Sequence, residues 1–162
     1  MTAFVGAQLG EKWTQAQLTG AESGSVPGIG DIYVSHDNRR YRFVQYNAGV
    51  NVPGVKGNVA GFYAPGGVST GLTNVVTSDV SETAGLGAGI LMSDVASGEY
   101  CWIQIGGLAT LTPALVSGAS GQSLVLSTTT DGTLKVAAAV TDSVVAYAVN
   151  AAGKQVMCSF PY

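Results

Sequence analysis

The sequence predicts an all-β fold: a compact antiparallel β-sandwich or barrel over residues 31–162, preceded by an N-terminal arm or short helix over residues 1–30. Three observations point there. Glycine supplies 23 of the 162 residues, about twice the usual share of roughly 7%. Charged residues make up 10%, against roughly 25% in ordinary soluble domains. From Asp31 onward, runs of β-branched and aromatic residues alternate with turn residues, the signature of many short strands. A disordered chain would carry more charge and less than the 46% hydrophobic content found here.

The elements follow in order. Glu11-Lys-Trp-Thr-Gln-Ala-Gln-Leu18 has the composition of two helical turns. A helix that short is marginal without tertiary support. The small and turn residues from Thr19 to Gly30 then loosen the chain. This predicts an arm that orders by docking, either on a neighbouring subunit or as a cap on its own barrel. Ile32-Tyr-Val34 and Arg40 to Tyr46 read as strands around the hairpin turn Ser35-His-Asp-Asn-Arg39. Gly57 to Tyr63, Thr73 to Thr77 and Gly89 to Met92 follow as strand candidates. Tyr100-Cys-Trp-Ile-Gln-Ile105 is the clearest strand. Cys101, Ile103 and Ile105 fall on one face and Tyr100, Trp102 and Gln104 on the other, with Gly106-Gly107 expected to end it. Leu108 to Leu111 and Ala114-Leu-Val116 are read as separate strands. Asp131-Gly132 is the strongest hairpin signal, between Ser123–Ser127 and Leu134–Ala138. Val144 to Val149 and Gln155 to Phe160 close the domain, giving roughly ten strands.

Composition also narrows function. Of seven Lys and Arg, only Arg39, Arg40 and Arg42 cluster. Sequence-independent nucleic-acid binding needs several neutralised phosphates, so no nucleic-acid partner is expected. No apolar run approaches the ~18 residues of a membrane helix, and no membrane partner is expected. The N-terminus lacks the basic and apolar regions of a signal peptide, which predicts synthesis in the cytoplasm, with Cys101 and Cys158 as buried free thiols or, less simply, a cross-strand pair.

Chemistry is sparse. Gly67-Val-Ser69-Thr-Gly71 matches a hydrolase nucleophile elbow, but that elbow needs a strand-to-helix turn and a histidine later in the chain. The sole histidine, His36, precedes it and sits with Asp31 and Asp37 in turn-like sequence. No cysteine or histidine pair has metal-ligand spacing, so no cofactor or metal is expected. Gly85-Leu-Gly-Ala-Gly89 lacks the spacing and the βαβ context of a dinucleotide loop and is read as positive-φ turns and bulges. The sequence therefore points away from an enzyme and toward an assembling structural protein. A chain with net charge −3 and few ionised groups has little repulsion to oppose association. Trp13, Tyr41, Phe43, Tyr100 and Trp102 are the candidate interface residues, with core packing as their alternative, and on the interface reading Trp102→Ala weakens assembly more than folding.

Gly98-Glu-Tyr-Cys-Trp-Ile-Gln-Ile-Gly-Gly107, followed by Val116-Ser-Gly-Ala-Ser-Gly-Gln-Ser-Leu124, Asp131-Gly-Thr-Leu134 and Val145-Ala-Tyr-Ala-Val149, resembles the capsid decoration (cement) proteins of tailed bacteriophages over about residues 95–162. The resemblance implies an all-β virion protein on the capsid exterior. It would form a homotrimer, bind the major capsid protein, bridge capsomers and use N-terminal arms that reach across. A tail, fibre or spike component binding a host-surface glycan or protein is the alternative, and exposed aromatics would favour it.

Overall fold

A computed structural model describes residues 7–20, 26–67 and 73–161. The fold is all-β. The described residues form eleven strands: β1 (Lys12–Trp13), β2 (Ile32–Val34), β3 (Arg40–Tyr46), β4 (Val59–Tyr63), β5 (Val75–Thr77), β6 (Thr83–Leu91), β7 (Tyr100–Thr110), β8 (Ser123–Leu126), β9 (Leu134–Val136), β10 (Ala146–Asn150) and β11 (Gln155–Ser159). One short helix, α1 (Gln15–Thr19), and 3₁₀ turns at Pro65–Gly67 and Val80–Glu82 complete them.

The strands run in the order β2-β3-β5-β4-β6-β7-β11-β10-β8-β9, with β1 added to β7. β3 also pairs directly with β7, and that second pairing closes β3-β5-β4-β6-β7 into a five-stranded barrel. All pairings are antiparallel except β3 with β5, where Gln45↔Val75 and Tyr46↔Val76 run parallel. From β7, the strands β11, β10, β8 and β9 continue as a second leaf.

The leaf and the barrel share one core. Leu124, Leu126, Val145, Val156, Cys158 and Phe160 from the leaf pack with Val44, Tyr46, Val59, Phe62, Ile90, Ile103 and Ile105 from the barrel. Burying each large side chain contributes about 1.5–3 kcal/mol, so this cluster dominates the stability. The Asp131-Gly132 hairpin forms where expected, with Leu126↔Leu134 as the last pair before the loop and Gly132 at φ 69°. Its tip is also fastened to the barrel. Asp131 Oδ1 accepts from the Val80 amide at 2.9 Å, and Gly132 donates to the Ser78 carbonyl and accepts from the Val59 amide. The Ser35–Arg39 turn likewise forms, with Asn38 at φ 63° and the Ser35 amide donating to the Arg39 carbonyl.

Three expectations need correction. Gly106-Gly107 does not end the Trp102 strand, because β7 runs on to Thr110 and absorbs Leu108 to Thr110 of the separate strand expected at Leu108 to Leu111. Gly107, at φ 88°, lets β7 bend there, where its ladder with β3 ends and that with β11 begins. Ala114-Leu-Val116 is not a strand. Pro113 removes a donor, and the segment instead lies along β9, its Val116 amide donating to the Leu134 carbonyl. Gly85 to Gly89 lies inside β6, where only Gly85 has positive φ. Gly87 and Gly89 are there because neighbours come too close for a side chain. A Cβ on Gly89 would lie 2.9 Å from the Gln104 carbonyl oxygen, and one on Gly87 would lie 3.0 Å from Phe160 Cε1. The expected bulges do occur there, in β6 itself: the adjacent Ala60 and Gly61 of β4 pair with Gly89 and Gly87, which leaves Ala88 as an extra residue.

Gly89→Ala should therefore destabilise the fold by about 1–3 kcal/mol in urea titration, because backbone must shift to admit the methyl group. Gly10→Ala, whose Cβ meets nothing within 4 Å, should change stability by less than about 0.5 kcal/mol.

Candidate interaction site

Period-two alternation gives β3 and β7 two apolar faces. Cys101, Ile103 and Ile105 enter the shared core, as do Val44 and Tyr46, while Tyr41, Phe43, Tyr100 and Trp102 project from the other face. The register sets Phe43 opposite Trp102, so the rings meet across the ladder. Their centroids are 5.3 Å apart and tilted by 59°, and Phe43 stacks on Tyr100 at 6.2 Å. Tyr33 of β2 adds contacts to Tyr41 and Trp102 at 6.2 and 6.3 Å.

The layer above these rings belongs to the same chain. Trp13 meets Phe43 edge-on at 5.2 Å, and Ala7, Leu9, Leu18 and Met92 complete the cover. Tyr41, Phe43, Tyr100 and Trp102 are left only 0–3% exposed. The expected helix at Glu11 to Leu18 is thus split: Lys12–Trp13 pairs with Cys101 and Tyr100, and the helix starts after Thr14. Thr14 caps it through a box in which its hydroxyl accepts from the Gln17 amide and the Gln17 side chain accepts from the Thr14 amide. Lys12 Nζ lies 2.9 Å from Glu99 Oε2, and the Tyr100 hydroxyl donates to Gln15 Oε1. The Ala96 amide and Lys12 hold the Glu99 carboxyl below its ordinary range, so it keeps its charge and its grip on the arm as pH falls to where an ordinary glutamate takes up a proton.

All five aromatics singled out in the sequence therefore come together in one cluster, and residues 7–20 take the position of a cap on their own barrel. The Trp102 indole N–H is buried without a hydrogen-bond partner among the described residues, a cost of about 1–3 kcal/mol.

The other candidates scatter. Ser69 lies outside the described residues. His36 is exposed in the β2–β3 turn. Asp37 there accepts from the Ser35 hydroxyl, which lowers its pKa, and lies 3.0 Å from Arg39 Nε. Asp31 accepts from the Gly28 amide at 2.8 Å, a turn contact. Cys101 and Cys158 are buried free thiols, each pushed up to about 12 by burial. Among the described residues no three His, Cys, Asp or Glu side chains are grouped to hold a metal ion, and no helix is long and apolar enough to cross a membrane. Sequence reasoning passed over a different group: Leu108, Tyr147 and Met157, which stand 37%, 50% and 44% exposed. The unbroken apolar run from Val144 to Val149 was the signal for it.

No protein-family model, no curated protein and no solved structure matches this chain.

Trp102→Ala removes a side chain that is 3% exposed, and truncating a buried Trp typically costs about 3–5 kcal/mol of folding stability. Urea denaturation should show that loss. Near-normal stability with an altered oligomer would instead put Trp102 at a contact between chains.

Proposed function

We propose that this chain is a virion structural protein: a capsid decoration (cement) protein that binds the outer surface of a tailed-phage head, contacts the major capsid protein and stabilises the shell by bridging capsomers, acting as a homotrimer. In this reading it is made in the host cytoplasm and performs no catalysis. The observation that carries it is a β body whose surface combines little charge with large apolar side chains. Val140, Val50, Val34, Tyr147, Ile32 and Val149 stand 47–106% exposed in a chain with only 10% charged residues. Where such side chains lie side by side, as Tyr147 does with Met157 and Leu108 across β10, β11 and β7, they mark a docking surface.

The resemblance adds support, because its strongest motif, Gly98 to Gly107, falls on β7, the strand on which barrel, leaf and arm all converge. A clamp needs several modest contacts rather than one tight one, since linked contacts act at high effective concentration. Bridging in this account comes from the barrel and leaf surfaces, because residues 7–20 are committed to their own barrel. The tail or spike alternative draws on exposed aromatics, and the cluster that suggested it is covered.

Mixing the purified protein with expanded, undecorated heads and sedimenting them tests the proposal. Saturable co-sedimentation at a fixed ratio to the major capsid protein is expected, along with greater resistance of the heads to heat. Recovery of all the protein in the supernatant would contradict it.

A further inference from the structure

The leaf β11-β10-β8 and the adjoining end of β7 are built in rows. The inward rows are small at the centre: Ala109, Val156 and Ala148 form one, and Gly107, Cys158, Ala146 and Leu124 the next. Between them lies the outward row Leu108↔Met157↔Tyr147↔Ser123. Directly opposed residues share a face, so the first three make a continuous apolar strip across three strands. Val149, the extra residue at the bulge in β10, is also exposed, at 47%.

The usual half-buried strand turns its large residues in and polar ones out. β10 does the reverse, with Ala146 and Ala148 buried and Tyr147 and Val149 exposed. An apolar run without alternation belongs to strands covered on both faces, and in the isolated chain one face of this strand is uncovered.

We infer that this outward strip of Leu108, Met157, Tyr147 and Val149 is where copies of this chain meet. Charge and geometry favour a second copy as the occupant. β10, β11 and residues 106–110 contain no charged residue, and the charges at the rim are cationic: Arg39 and Lys56 line a cavity with Leu108 and Gln155, and Lys154 precedes Gln155. Two chains of net charge −3 repel least across strands that carry none of that charge, and cations at the rim offset it further. Apolar sheet faces stack on one another at about 10 Å with interdigitating side chains. From their fractional exposures the four residues leave on the order of 300 Å² uncovered, the size of the largest patch on a typical monomer. With the polar and cationic rim around it, that is enough for the centre of an interface burying about 800 Å² per partner. The inference deepens the self-association part of the proposed function by assigning it a surface, but it stands on these rows alone.

Sedimentation velocity of the full chain and of Met157→Glu, with Tyr147→Lys as a second variant, tests it. The wild type should sediment as an oligomer in the micromolar range, and its mass will give the copy number. Each variant should weaken association by more than about tenfold while keeping the wild-type melting temperature in dilute solution. Val50→Glu, an exposed apolar position elsewhere (72%), should leave the oligomer intact. A wild type that is monomeric throughout, or variants that associate as it does, would overturn the inference. A chain that self-associates through this strip yet ignores phage heads would remove the phage reading alone, whereas one that binds heads as a monomer would remove this inference alone.

Discussion

The antiparallel ladder between β3 and β7 carries the rest of the molecule, because it closes the barrel and is apolar on both faces. A ladder of this kind must be covered twice, since each uncovered large side chain forgoes about 1.5–3 kcal/mol. On one face the barrel and the leaf supply the cover. On the other, the N-terminal segment supplies it with Trp13, Leu18 and the two-residue β1, beside Tyr33 and Met92. A five-residue helix has little stability of its own. Its order derives from the rings beneath it, its capping box and the Lys12–Glu99 pair.

The second constraint is closeness. The leaf lies so near the barrel that small residues occupy the contact. A Cβ at Gly61 would come within 2.8 Å of Leu126 Cδ2, Gly87 faces Phe160 and Val145, and the inward positions of β10 are alanines. Small residues let backbones approach, but they bury little area, and the bulky residues of β10, with Met157 of β11, are turned outward. The tightness of the core and the apolar strip on the surface have the same cause. A protein of this design gains by docking its outer face, which is the property a shell-binding role requires.

Much of the fold was legible in the residues. The alternation from Tyr100 to Ile105 predicted which side chains face which layer, and Asp131-Gly132 located its hairpin. Turn chemistry misled where glycine serves packing. Gly106-Gly107 read as a strand end, yet it lies within β7, and of Gly85 to Gly89, read as positive-φ turns and bulges, Gly85 and the bulge at Ala88 fit that reading while Gly87 and Gly89 answer to close approach. Barrel closure, the parallel β3–β5 pairing and the cap over Phe43 and Trp102 depend on contacts remote along the chain, which no local pattern encodes. The five aromatic residues do fall in one cluster, but whether their cover comes from the same chain or another is a matter of tertiary structure. The strip at Met157 was hidden for a similar reason: an unbroken apolar run does not say which face is already filled.

Amide hydrogen exchange on the dilute, monomeric chain tests the central claim most directly. If the doubly covered ladder organises the fold, amides that bond across Arg40–Tyr46 and Tyr100–Gln104 should exchange only through global unfolding, with Trp13 protected beside them and the Ser35–Arg39 turn exchanging freely. Exchange of the ladder as fast as that turn, or an unprotected Trp13 in the monomer, would contradict the account.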